Sequence, residues 1–371
     1  MTEKQIMEHI LTYIGKRGYT CACGLVENFY LSLKSRPFVL MAGRSNMDMT
    51  LLPRLFAEAI GATAENGRFL CLRVPMDWMD SSDLFGWLNL EGKFIPGPII
   101  DFLKKAQNDP DKPYFLYLDT LILSRSEYYL REFLGAVESR EQEQSKPIVT
   151  MAYYGSDEEA KQKYGEIPAL DNLYVVGSFN LDETSLPLNQ RLLDRVHTLR
   201  LDPEDITGSD TGLGESLEIH NDFLKTRYFR LDQCRDRQEV LLQDFAVLES
   251  FNKILSGATA YLGFRSRNDA VLYQMHNRLT GVLPEEGALD HEISQKVLTR
   301  VQGSAKTIKP VLCKLFACCC PEFGEPDSRQ PQAEAMTKAA AQLPCRYPAS
   351  AKHIARMIEI CEAEGYASYW N

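Results

Sequence analysis

No apolar run in this 371-residue chain approaches the roughly 20 residues that a membrane-spanning helix needs. The beginning, Met1-Thr-Glu-Lys-Gln-Ile-Met-Glu-His-Ile10, is an amphipathic helix start without the apolar stretch of a secretory signal, so a cytoplasmic address is expected. Positive charge is short as well. Against 51 Asp and Glu stand 41 Lys and Arg, a net charge of −10, which argues against nucleic-acid binding by the whole surface and leaves a local basic patch or an indirect contact. The ten cysteines lack paired C-x-x-C spacing. Their clusters are Cys21-Ala-Cys23 and Cys313 with Cys318-Cys319-Cys320; no histidine stands beside them at ligand spacing, so a zinc ribbon is not indicated and reduced thiols are expected. Internal repeats are missing too.

What is present is ordinary globular material, 44% hydrophobic and 25% charged, at a length that implies two or three units with ample core. Helical apolar spacing over 4–15 and 24–34 predicts a small lead-in. Apolar runs at 38–41, 68–74, 114–119, 173–180 and 197–201 then alternate with helical patterns at 51–60, 99–107, 127–139 and 188–196, the layout of a parallel three-layer α/β core. Residues 77–98, rich in Gly, Pro, aromatic and acidic side chains, are expected to form a structured loop and hairpin with Trp78, Phe85 and Trp87 as its core. Residues 140–170 are expected to be loop-rich. From about 215 the β signals fade. Helical patterns at 238–255, 270–277, 293–301 and 353–363, with loops at 207–214, 283–287 and 321–332, predict an all-helical remainder.

The most informative stretch is Phe38-Val-Leu-Met-Ala-Gly-Arg-Ser-Asn-Met-Asp-Met-Thr50, a strand, a turn and a helix start. A phosphate-cradling loop, G-x-x-x-x-G-K-[ST], has that layout. Gly43 and Thr50 fall on its first and last positions, while Asp48 and Met49 replace its second glycine and its lysine. A degenerate nucleotide site, a weakly binding one and a plain structural turn are the three readings. Two strands end in polar side chains, Asp119 and Asn180, and a helix with Arg191 and Arg195 follows. In that order and spacing these features match an AAA+ module. The match implies that Asp119 stands where an acid holds Mg²⁺ together with Thr50, and Asn180 where a sensor positions the attacking water. Arg191 and Arg195 become candidates for an arginine finger, and Arg265 or Arg267 for a phosphate sensor in a helical lid. Residues 43–50, namely Gly43, Arg44, Ser45, Asn46, Met47, Asp48, Met49 and Thr50, are the candidate nucleotide loop.

At these residues the chain resembles the McrB-type AAA+ proteins, the motor subunits of methylcytosine-dependent restriction systems. The resembling stretches are Phe29-Tyr-Leu-Ser-Leu-Lys-Ser-Arg-Pro-Phe-Val-Leu-Met-Ala-Gly43, Asp80-Ser-Ser-Asp-Leu-Phe-Gly86, Asp109-Pro-Asp-Lys-Pro-Tyr-Phe115, Val176-Gly-Ser-Phe-Asn-Leu-Asp-Glu-Thr184 and Leu192-Leu-Asp-Arg195. Ser350-Ala-Lys-His-Ile-Ala-Arg-Met-Ile and Tyr369-Trp370 are similar to a short-form C-terminus. The resemblance implies an AAA+ P-loop core at 36–205 behind a helical lead-in at 1–35, an all-helical lid at 215–320 and a helical extension at 333–371. It implies a short form with no N-terminal DNA-binding domain, and homo- or hetero-oligomers with AAA+ paralogues. A McrC-type nuclease is the implied partner, and ATP or GTP with Mg²⁺ the implied cofactor.

The departures fall on the chemistry. The family's loop resembles Gly-x-Ser-Gly-Thr-Gly-Lys-Ser/Thr; here Asn46 and Asp48 replace two glycines and Met49 the lysine that neutralises phosphate. Thr120 replaces the acid after Asp119, and Ile122 a polar asparagine. The expectation is an impaired member, with hydrolysis lost or weak and the nucleotide itself dispensable. An active motor with a noncanonical loop and a stand-alone scaffold are the alternatives. Asp48 is expected to cap the helix that follows, placing its own carboxylate near the phosphate position.

Overall fold

A computed structural model describes residues 1–121, 128–139, 146–182, 190–201, 212 and 214–371. They divide into two compact units, Met1–Phe229 and Arg230–Asn371.

The first unit begins with α1 (Glu3–Lys16), whose start is fixed by a capping box between Thr2 and Gln5. Its apolar face, Ile6, Met7, Ile10, Tyr13 and Ile14, is buried and packs on α3 (Leu51–Ala59). Gly24, at φ 83°, turns the chain into α2 (Leu25–Ser35), which delivers it to β1 (Phe38–Gly43), buried along its whole length. A strand enclosed on both faces needs a continuous apolar run, and Phe38-Val-Leu-Met-Ala supplies it. The other sheet strands are β2 (Phe69–Arg73), β5 (Tyr114–Asp119), β6 (Leu173–Asn180) and β7 (His197–Arg200); the spatial order is β2-β5-β6-β1-β7. All neighbouring pairs are parallel. β1 lies between β6 and β7, so the turn after it opens at the carboxyl edge of the sheet, where doubly wound sheets place their ligands.

Between β2 and β5 the antiparallel hairpin of β3 (Gly86–Leu88) and β4 (Phe94–Pro96) precedes a helix at Ile100–Asn108. The expected core of this segment is only partly found: Phe85 is buried, Trp78 lies edge-on to Tyr129, but Trp87 is 52% exposed. Residues 146–170 hold more structure than expected. Asp157 caps a helix at Glu158–Tyr164, and Val149 bridges Ile167. The expected helix at 127–139 is seen as Arg131–Ser139, and that at 188–196 as Gln190–Leu193. Residues 127, 188 and 189 lie outside the described residues, as does nearly all of the loop expected at 207–214.

The second unit is built on helices at Gln238–Leu255, Phe264–Thr280, Glu285–Glu292, Ala305–Cys319, Ala333–Gln342 and Pro348–Glu364. Besides Glu285–Glu292, which begins inside the loop expected at 283–287, three features depart from the sequence expectation. Residues 293–301 form a π-turn at Ile293–Val297 and a 3-10 turn at Leu298–Arg300 rather than a regular helix. A small antiparallel pair joins Gln302–Ser304 to Tyr366–Ser368. The third is a disulfide between Cys320 and Cys345, where reduced thiols were expected; it ties the end of Ala305–Cys319 to the segment before Pro348.

Candidate functional site

The carboxyl ends of β1, β5 and β6 converge. Parallel register sets Gly43 opposite Asn180. The chain leaving β6 bonds back to β1 through Leu181 N to Gly43 O at 2.8 Å, and the chain leaving β5 bonds to β6 through Leu121 N to Ser178 O at 2.7 Å. Ser178, fully buried, donates its hydroxyl to Asp119 Oδ1 at 3.1 Å and accepts from Thr120 N at 3.3 Å. Thr120 stands where the resembling family has its water-activating acid, and it adopts φ 57°, a left-handed conformation that a β-branched residue takes only when its surroundings impose it. Two positions before Asp119, Tyr117 is buried. Burial pushes its phenol up to about 12, while the Ser178 and Thr50 hydroxyls beside it act the other way. Thr50, Tyr117, Ser178 and Asp119 therefore form one group beneath the turn.

The turn joins a buried strand to a helix and spends its donors internally. A phosphate cradle works by aiming several unpaired backbone N–H groups at the anion. Here Ser45 N donates to Asp182 Oδ1 at 2.9 Å and the Ser45 hydroxyl donates to Asp182 Oδ2. Met47 N donates to Arg44 O at 3.0 Å, Met49 N to Met47 O at 3.1 Å and Leu51 N to Asp48 O at 3.2 Å. Thr50 N donates to Asp48 Oδ1 at 3.0 Å, so the Asp48 carboxylate serves the residue just ahead of α3 rather than an amide of the helix itself. The hydrogen bond from Ser45, with the Arg44 charge as a lesser influence, holds the exposed Asp182 carboxyl below the usual carboxylate range.

Met49 completes the closure. It is 6% exposed, and its Sδ and Cγ lie 3.0 and 3.2 Å from where a Cβ on Gly43 would stand, with Met47 Sδ at 3.5 Å. The side chain at the lysine position thus folds back onto the first glycine of the loop as apolar filling. A cavity of about 520 Å³ opens nearby, lined by Tyr13, Arg17, Leu51, Arg54, Glu58 and Thr63 among others. Its cations are occupied: Arg17 donates to Tyr13 Oη at 2.9 Å, Tyr13 donates to Glu58 at 3.2 Å, and Arg54 lies 4.0 Å from Glu58.

The remaining candidates have other described partners, belong to the second unit or lie outside the described residues. Arg195 Nε is 2.7 Å from Glu138 Oε1, an ion pair within its own unit. Arg191 belongs to the short helix Gln190–Leu193, but its side chain lies outside the described residues, as do Ile122 and the Glu183-Thr184 end of the resembling stretch. In the second unit Arg265 is exposed. Arg267 is stacked over Phe245 and Phe264, at 4.4 and 4.9 Å, and bonded to Asn268. Sequence reasoning missed Ser178 and the Ser45–Asp182 tie. The signal for the latter was Asp182 itself, two residues past the strand-end Asn180.

Comparison with solved structures adds the fold. The crystal structure of a “putative ATPase” from Cytophaga hutchinsonii ATCC 33406 superposes with a TM-score of 0.52 at 13% identity, over 80% of this chain and 87% of that one. The fold is of the AAA+ type, a parallel α/β core with a helical domain. NtrX from Brucella abortus aligns over 90% of this chain and 70% of its own at 14% identity, with a TM-score of 0.28. A family model described as a domain of unknown function, DUF8727, matches residues 213–366. No curated protein matches the chain.

Proposed function

We propose that this chain is a McrB-like AAA+ subunit that has lost nucleotide hydrolysis and serves as a structural or regulatory component of a restriction-type defence assembly. One observation carries the reading: five successive or alternate amides of the loop are satisfied within the protein, and Met49 fills the space against Gly43. The lost lysine and the added Asp48 point the same way, since both shift the local charge against a triphosphate. Thr50 and Asp119 are the residues that would hold Mg²⁺ beneath a bound ATP or GTP. The residues present do not fit the triphosphate that would bring the metal, so no step is routed through it.

On this reading residues 36–205 are a retained AAA+ core behind the lead-in at 1–35, with 215–320 as lid and 333–371 as extension. Its partners are AAA+ paralogues in a ring and a McrC-type nuclease. Arg195 serves packing through Glu138, and Arg191 remains the candidate for a neighbouring subunit. A phosphate-release assay with ATP and GTP tests the loss of hydrolysis. Turnover is expected to be indistinguishable from that of an Asp119→Ala variant; turnover that this substitution abolishes would establish the active-motor reading instead.

A further inference from the structure

The β3–β4 hairpin is anchored on one face and bare on the other. On the inner face Phe85 and Phe94 are buried and set edge-on to Tyr153 and Tyr154, with centroids 5.7 and 4.9 Å apart. Phe94 N donates to Asp157 Oδ2 at 2.8 Å, and Ser81 and Tyr153 share a hydrogen bond of 2.8 Å. Outward, the cross-strand pair Trp87 and Ile95 is 52% and 37% exposed. At the tip Leu90 is fully exposed, although the turn is ordered: Asn89 Oδ1 accepts from Glu91 N at 3.0 Å and Lys93 N at 2.9 Å, and Asn89 N donates to Lys93 O at 2.8 Å. Met76 and Met79, upstream in the same segment, are 81% and 60% exposed. A rigid ribbon holding a tryptophan and aliphatic side chains in water is the kind of surface that marks an interface.

Its charge selects the occupant. Residues 76–98 hold Asp77, Asp80, Asp83 and Glu91 against a single base, Lys93. That sign repels nucleic acid and also opposes a second copy of the same acidic hairpin, whereas it steers a cationic partner. We infer that the β3–β4 hairpin is a docking surface for a partner protein presenting an apolar segment flanked by lysine or arginine. This inference does not depend on the state of the nucleotide loop.

Fluorescence anisotropy of the full chain with three labelled peptides of equal length tests it: one alternating Leu with Arg and Lys, one with Glu in place of the bases, and one with Ser in place of Leu. The first is expected to bind at least about tenfold more tightly than the other two, and to lose about tenfold with Trp87→Ala, an anchor truncation. Asp77→Lys with Glu91→Lys is expected to weaken it similarly and to flatten its salt dependence. Both variants change exposed positions, and unchanged melting confirms that they fold. Absence of binding, equal affinity for the Ser peptide, or indifference to Trp87→Ala would each overturn the inference. So would light scattering that finds a dimer dispersed by Trp87→Ala, since the occupant would then be a second copy.

Discussion

Met49 shows what a single side chain decides at this site. The sequence reveals that the lysine is missing; the structure adds that the thioether lies against Gly43, so restoring charge alone is not sufficient. Met49→Lys places an ammonium at a position 6% exposed and is expected to destabilise by ~2 kcal/mol, read as a lower denaturant midpoint, without conferring nucleotide binding. Asp48→Ala removes the acceptor for Thr50 N and is expected to lose ~1 kcal/mol, the usual worth of a helix-start side-chain bond. A neutral or stabilising result would remove the capping role. The expected cap is met only in part: the Asp48 carboxylate takes the amide of Thr50, which itself occupies the N-cap position, and α3 has no side-chain cap of its own. The Ser45–Asp182 tie was not legible, because it joins residues 137 apart in sequence and local pattern carries no information on such pairs.

Elements were legible where burial is continuous. β5 and β6 occupy the residues expected from their apolar runs, ending at Asp119 and Asn180, because a strand enclosed on both faces leaves no ambiguity about period. Helices without an apolar rhythm were missed. Glu158–Tyr164, with the sequence EEAKQKY, buries only Ala160 and Tyr164 and depends on Asp157 at its start. Glu285–Glu292 begins inside the loop expected at 283–287, and the π-turn after it buries polar Gln295 and Lys296, an arrangement invisible to hydrophobic spacing. Capping also governs Pro348–Glu364, whose first amides, Ala349 N and Ser350 N, both donate to Asp290 at 2.8 Å. Asp290→Ala leaves two donors without that acceptor, one of them buried, and is expected to lose ~2 kcal/mol. Chemical denaturation measures it, and a change below a few tenths would show that the contact carries no stability.

At the scale of the whole molecule, acid stability has a named contributor. Burial lowers His291 from an ordinary 6.5 to about 4, with Glu292 acting weakly in the opposite direction. The unfolded chain therefore takes a proton that the folded one refuses. The contribution is complete above about 6.5 and is lost as pH falls toward about 4, by ~2 kcal/mol once the residue's partial exposure is allowed for. Melting followed across that window in the native chain and in His291→Gln is expected to show a steeper fall in the native chain; parallel curves would rule His291 out. The fold as a whole was readable as an AAA+ core with a helical domain, because strand ends, turn and helices occur in the required order. The closure of the loop was not readable, because it depends on where spent amides and a thioether lie in space. Titration of fluorescent ATP and GTP analogues measures that closure most directly, in the native chain and in a variant carrying Asn46→Gly, Asp48→Gly and Met49→Lys. No saturable signal is expected from the native chain and saturable binding from the variant, whereas saturation of the native chain at micromolar nucleotide would contradict the account.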